Sequence, residues 1–250
     1  MLDATATVII ATFLIAGVVK GIIGLGLPTI ILAVLTVVID LPTAMALLLV
    51  PSLTTNLWQA FAGDNTRLIL ARLWPFLLTA TLTVWIGAQA LRHIELAFLS
   101  ALLGVLISAY AIANLGGLRF DISKRDEGWV GPLLGLANGI LTGMTGSFVV
   151  PGVMYLQAIG LSKDALIQAM GMLFALSTLA LGVALQSNGL LSAEHGIDSI
   201  LALLPAIAGM IIGQRIRQAV SEPRFRKIFF ISLLALGAYI IVTRLGDLAR

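Results

Sequence analysis

Cysteine is absent from this 250-residue chain, which excludes disulfides, thiolate metal sites and cysteine nucleophiles. Charge is scarce. Asp, Glu, Lys and Arg make up 11% of residues, against about 25% in an ordinary soluble domain. With 59% hydrophobic residues and a mean hydropathy of +1.06, the chain cannot furnish the polar shell that a soluble core of this length needs. No G-x-x-x-x-G-K-[ST] run occurs. GIIGLG lies inside an apolar run with no strand before it, so it is not a phosphate loop. H-E-x-x-H is also missing, and the two histidines, His93 and His195, stand near segment ends. An enzyme, a metal centre or a resident cofactor is therefore not expected. The opening MLDATATV lacks a basic n-region, so the first apolar run reads as a retained segment rather than a signal peptide.

What the chain does have is long apolar runs, each able to span about 30 Å of hydrocarbon as a helix. They lack the two-residue alternation of an outer-membrane barrel. Eight blocks emerge, near 5–39, 42–62, 68–91, 95–115, 129–159, 162–187, 197–214 and 225–243. The longest polar stretch, Gly116 to Gly128, divides them into a first half (1–117), a cytoplasmic linker (118–128) and a second half (129–250). Net charge is +3, but the basic residues sit in short loops between apolar runs and read as topological signals. Nucleic acid is not an expected partner; the lipid bilayer is.

The first and fifth blocks exceed 30 residues, too long for one span of about 20. Each is interrupted by glycines, in Gly17 to Pro28 and in Gly135 to Pro151, and several glycines together read as a helix break. Pro28 suits the first turn of the helix that follows. The breaks correspond. Gly17, Lys20 and Gly21 match Gly135, Asn138 and Gly139 at an offset of 118, and Gly26 matches Gly146 after a two-residue insertion. Asp40-Leu41 falls on Gly160-Leu161, and Ala109-Tyr110 on Ala238-Tyr239.

Lysine and arginine decide the direction of this repeat. If each long block crosses once, the basic residues divide seven against seven. If each returns the chain to the side it left, Arg67, Arg72, Arg119, Lys124, Arg125, Lys163, Arg215, Arg217, Arg224, Arg226 and Lys227 share one side. The other side keeps only Arg92, Arg244 and Arg250. The positive-inside rule favours the second arrangement, with both termini outside. The expected fold is an all-α polytopic membrane protein of two inverted repeats. Each repeat holds a broken or re-entrant helix pair plus three transmembrane helices.

Broken helices at matching positions of inverted repeats point to a midplane site. A helix that begins inside the membrane presents unpaired amides and a partial positive charge, which suits an anion. The candidate lining is Gly24 and Gly26 at the first break, and Thr145, Gly146 and Ser147 at the second. Those glycines could instead serve only close helix packing. Lys20 is the one charged residue well inside a block, with neutral Asn138 at the matching position. It is either a site residue or a lysine snorkelling to an interface. Thr55, Asn56 and Gln59, with Gln168 and Ser177, are hydroxyl and amide candidates for oxyanion oxygens or for interhelical bonds. Pro51 frees a backbone carbonyl one turn earlier. No acidic residue lies mid-span, which argues against a carboxylate proton relay. Coupling through a protonated substrate, sodium or the membrane potential stays open, as does the oligomeric state.

These glycine-rich breaks, the stretch Ala46-LLLVPSLTT-Asn56, and Gly213-Gln-Arg-Ile-Arg217 with Pro223-Arg-Phe-Arg-Lys227 resemble the TauE/SafE family of sulfite exporter-like permeases, over the whole chain. Family members carry a fuller G-x-G-G-G run before the proline. Here the runs are Gly24-Leu-Gly26-Leu-Pro28 and Gly143-Met-Thr-Gly146-Ser147. The resemblance implies a multi-pass protein of a bacterial inner membrane that carries small sulfur-containing anions such as sulfite, thiosulfate or sulfoacetate, or related organic acids. The residues alone leave an anion channel or a non-transporting membrane protein as alternatives.

Overall fold

The computed structural model describes residues 4–118, 120–217, 219 and 221–248. Arg119 and Arg250, both used in the charge count, lie outside the described residues, as do the chain termini. The described residues are helical, with no strand among them: α1 (Ala4–Ile23), α2 (Leu27–Val38), α3 (Leu41–Phe61), α4 (Thr66–Leu82), α5 (Val84–Ala88), α6 (Ala90–His93), α7 (Leu96–Leu115), α8 (Glu127–Thr145), α9 (Gly152–Ala158), α10 (Lys163–Ser187), α11 (Ala193–Ile216) and α12 (Glu222–Leu248). Seven candidate membrane spans are long and apolar enough to cross a bilayer, with α4–α6 counted as one. Side chains mark the starts. Asp40 accepts from Thr43 N at 2.9 Å before α3, and Ser192 accepts from His195 N at 3.1 Å before α11.

The exterior is apolar. Val242 is 72% exposed, Leu204 69% and Trp58 71%, a surface that lipid covers and water would not. Inside, helices approach closely through small residues. A Cβ on Gly17 or Gly21 of α1 would strike the backbone of α11 at Ala206 or Met210, and one on Gly209 or Gly213 would strike α1 at Leu14 or Val18. Gly135, Gly139 and Gly143 of α8 meet α4 and α5 in the same way. The breaks are therefore narrower than the glycine-rich stretches, at residues 24–26 and 146–151. Gly17, Gly21, Gly135 and Gly139 stay inside helices, where they serve packing.

Contacts fix the direction of each element. α1 runs parallel to α11, with Leu14 beside Gly209 and Val18 beside Gly213. α2 then runs back, with Gly26 beside Phe229 early in α12 and Thr36 O accepting from Arg244 Nη2 (2.5 Å) late in α12. α8 runs parallel to α4 and α5. The end of α9 returns to the start of α8, because Arg72 binds both Glu127 (2.5 and 2.7 Å) and Ile159 O (2.6 Å). Each broken element thus leaves and re-enters at one end of the bundle, and the two do so at opposite ends. α1 packs chiefly on α11, α4 and α5 on α8, α3 on α10, and α7 on α12.

Candidate functional site

α1 ends at Ile23, and Gly24 (φ 77°) and Gly26 (φ 103°) turn the chain in the left-handed region that suits glycine. Just before this turn, Lys20 is 5% exposed. It is the one charged side chain fully buried among the described residues. Its Nζ donates to Thr55 Oγ1 at 3.0 Å and to Asn56 Oδ1, both on α3. No ion pair to it exists among the described residues.

The bonds beyond Lys20 have a fixed polarity. Thr55 Oγ1 donates to Pro51 O (2.8 Å), so toward Lys20 it accepts. Asn56 Nδ2 donates to Ser52 Oγ (2.9 Å). Thr178 Oγ1 donates to Phe174 O (2.6 Å), so in its 3.2 Å contact with Ser52 the serine is the donor. A directed chain therefore runs from Lys20 through Asn56 and Ser52 to Thr178 on α10. Proline in the helix interior frees the carbonyl four residues earlier. Ser199 Oγ of α11 takes it, donating to Leu47 O at 2.8 Å while accepting from Val50 N at 3.0 Å.

Lys20, Gly24, Thr55, Gln59 and Gln168 line one cavity of about 660 Å³. Its inner end is buried, at Lys20 and Thr55, and its other end opens among exposed Asp64, Lys163, Asp164 and Arg217. Gln59 and Gln168 line it with their amides already engaged. Gln59 Nε2 donates to Ile167 O (2.7 Å). Gln168 Nε2 lies 2.9 Å from Ala60 O, Gly63 O and Thr66 Oγ1, while its Oε1 accepts from Asn65 N (2.9 Å). Gln168 thereby fastens the α3–α4 turn to α10. Ser52 and Thr178 are not among the candidates read from the sequence, because nothing in the sequence couples them to Lys20.

The structure does not bring Gly26, Asn138, Thr145, Gly146, Ser147 or Ser177 into this cavity. Gly26 faces Val19 and Phe229, and Gly146 faces Leu32 and Met45, all apolar neighbours. At the second break the first amide of α9, Gly152 N, is taken by Asn138 Oδ1 (2.9 Å). Thr145 Oγ1 donates to Leu141 O (2.7 Å). Asn138 Nδ2, Ser147 Oγ and Ser177 Oγ are buried without a hydrogen-bond partner among the described residues.

The family profile of sulfite exporter TauE/SafE matches residues 9–240. The chain belongs to the TauE/SafE family. No curated protein and no solved structure matches it. As a TauE/SafE protein it is a multi-pass membrane protein of a transporter family, and the family match spans both halves and both breaks.

Proposed function

We propose that this protein is a secondary transporter of small sulfur-containing anions, such as sulfite, thiosulfate or sulfoacetate, and that the anion binds in the cavity at Lys20. The supporting observation is the Lys20 ammonium, buried and bonded only to neutral partners. An intramembrane charge costs at least about 2.5–3.5 kcal/mol, so an unbalanced one is a functional feature by default. An anion would complete it, with the Thr55 hydroxyl beside it.

We read the halves as inverted repeats working by alternating access. The opposite return directions of the two broken elements and the exchange of partners between halves support this. Basic residues of the α4 start, the linker, the α10 start and the α11–α12 turn gather at the end where the cavity opens, which favours a cytoplasm-facing state of a bacterial inner-membrane protein. The polar atoms without a partner among the described residues at Ser147 in the second break, at Asn138 on α8 and at Ser177 on α10 are the second half's contribution to the substrate path. α3 joins the two breaks, since it holds Lys20 at Thr55 and Asn56 and meets Gly146 at Met45. The test is a thermal-shift screen of the purified protein against sulfite, thiosulfate, sulfoacetate, sulfate and short carboxylates. Stabilisation by the sulfur oxyanions is expected. Stabilisation by carboxylates alone would remove the sulfur-anion reading.

A further inference from the structure

A separate cavity of about 560 Å³ lies where the end of α7 meets the start of α12, lined by Leu115, Glu222, Arg226, Lys227 and Phe230 among others. α7 and α12 run antiparallel, with Gly104 against Gly237 and the Tyr110 ring against Phe230 (centroids 5.4 Å apart). The cavity therefore sits at one end of the bundle. It is the end where the Lys20 cavity opens, because Glu222 borders both. Trp129 at the start of α8 and Phe120 in the linker are exposed at this same end, as aromatic residues are at a lipid–water interface. Toward the bilayer centre, Ile112 lies one turn before Leu115 on α7, and Ile231 lies one turn after Lys227 on α12. Ile112, Leu115 and Ile231 are all exposed, so an aliphatic strip leads into the cavity from the membrane side.

Charge at the cavity is uneven. Glu222 is the one carboxylate in its lining, and it is shared, lying 3.4 Å from Lys163 and 3.9 Å from Arg226. Lys227 has no ion pair among the described residues. The Arg226 guanidinium stands over the Phe230 ring, 5.9 Å from its centroid, which holds it at the cavity wall. Two cations and one shared carboxylate above an aliphatic strip match an amphiphile with an anionic head and apolar tails. A free phosphate would use only the charge, and a neutral lipid only the strip.

We propose that this cavity binds the phosphate of an anionic phospholipid between Arg226 and Lys227, with its acyl chains along Ile112, Leu115 and Ile231. The site stands whether or not an anion binds at Lys20. Glu222 and Lys163 also line the mouth of the Lys20 cavity, so a phosphate on Arg226 leaves Glu222 to Lys163 and strengthens the tie between α10 and α12 there.

The experiment is thermal unfolding of the full chain in a mild detergent, titrated with dioleoyl phosphatidylglycerol, with dioleoyl phosphatidylcholine and with glycerol phosphate. A saturable rise in melting temperature is expected with phosphatidylglycerol alone. One basic residue near a membrane surface is worth about fivefold in affinity for anionic lipid. Lys227→Gln should therefore raise the half-saturating concentration about fivefold, and Arg226→Gln with Lys227→Gln should raise it further. Lys124→Gln with Arg125→Gln removes two charges from the linker at the same end and should leave it unchanged. No response to phosphatidylglycerol, or an equal one to phosphatidylcholine, overturns the anionic lipid. An equal response to glycerol phosphate replaces the lipid with a soluble phosphate ester and overturns it too. Equal weakening in the linker variant reduces the effect to general surface charge and overturns the site. If the Arg226 and Lys227 double variant does not accumulate, Lys227→Gln at its exposed position decides alone, and unchanged half-saturation there overturns the proposal.

Discussion

Lys20 on α1 donates to Asn56 Oδ1 on α3, and this buried cation meets a neutral amide where a carboxylate would ordinarily stand. The amide is held in that orientation by Ser52, which accepts from its Nδ2 and passes the chain to Thr178.

Removing that charge should separate binding from folding. Lys20→Gln keeps a donor toward α3 and removes the ammonium. Thiosulfate affinity should fall at least about tenfold, or 1.4 kcal/mol, while the melting temperature holds or rises. Unchanged affinity in titration would return Lys20 to the role of a structural anchor.

The absence of cysteine makes topology directly measurable. Single cysteines at the exposed positions Ser123 and Ser221 should react with an impermeant maleimide only from the cytoplasm, and one at Ser192 only from outside. Labelling of Ser123 and Ser221 from opposite faces would be incompatible with two inverted halves.

Arg72 joins the start of α8 to the end of α9, through Glu127 and Ile159 O. Arg72→Met should cost about 3–5 kcal/mol by stranding a mostly buried carboxylate. Adding Glu127→Met should recover part of that loss, and the melts of both single variants and the double variant together measure the coupling. Single-variant losses that simply add in the double variant would mean that the pair contributes nothing.

Glycines should divide by role. Gly143→Ala and Gly213→Ala drive a methyl into the backbone of a neighbouring helix and should each destabilise by about 1–3 kcal/mol. Gly128→Ala and Gly196→Ala, with open space around them, should leave the melting temperature within about 1 °C. At Gly26, φ 103° and the contact with Phe229 make valine a folding defect, so Gly26→Val should fail to accumulate rather than accumulate in an inactive form.

Much of this architecture was legible because lipid enforces it. Each apolar block corresponds to a helix, a broken pair or, for 68–91, the run α4–α6, and Asp40 and Ser192 mark starts by capping chemistry that is local in sequence. Lys20 stood out because a charge within an apolar run is costly wherever the run folds. The extent of the breaks was less legible. A glycine reads the same whether it turns the chain, as Gly24 does, or lets two backbones meet, as Gly17 and Gly139 do, and only the neighbouring helix distinguishes them.

By itself, then, the sequence determined that the chain lives in a membrane, where its helices lie and which residue carries an unbalanced charge. These follow from hydropathy and spacing along the chain. The tertiary structure alone decided which polar residues share a site. Gln168 and Gln59 were spent on holding turns and helices together, Asn138 on the first amide of α9, and Ser52 and Thr178 were drawn into line behind Lys20. Three of these pairings, Ser52 with Thr178, Gln59 with Ile167 and Gln168 with Ala60, join residues over a hundred positions apart, and an amide or hydroxyl carries no mark of its partner until packing brings the two within hydrogen-bond reach.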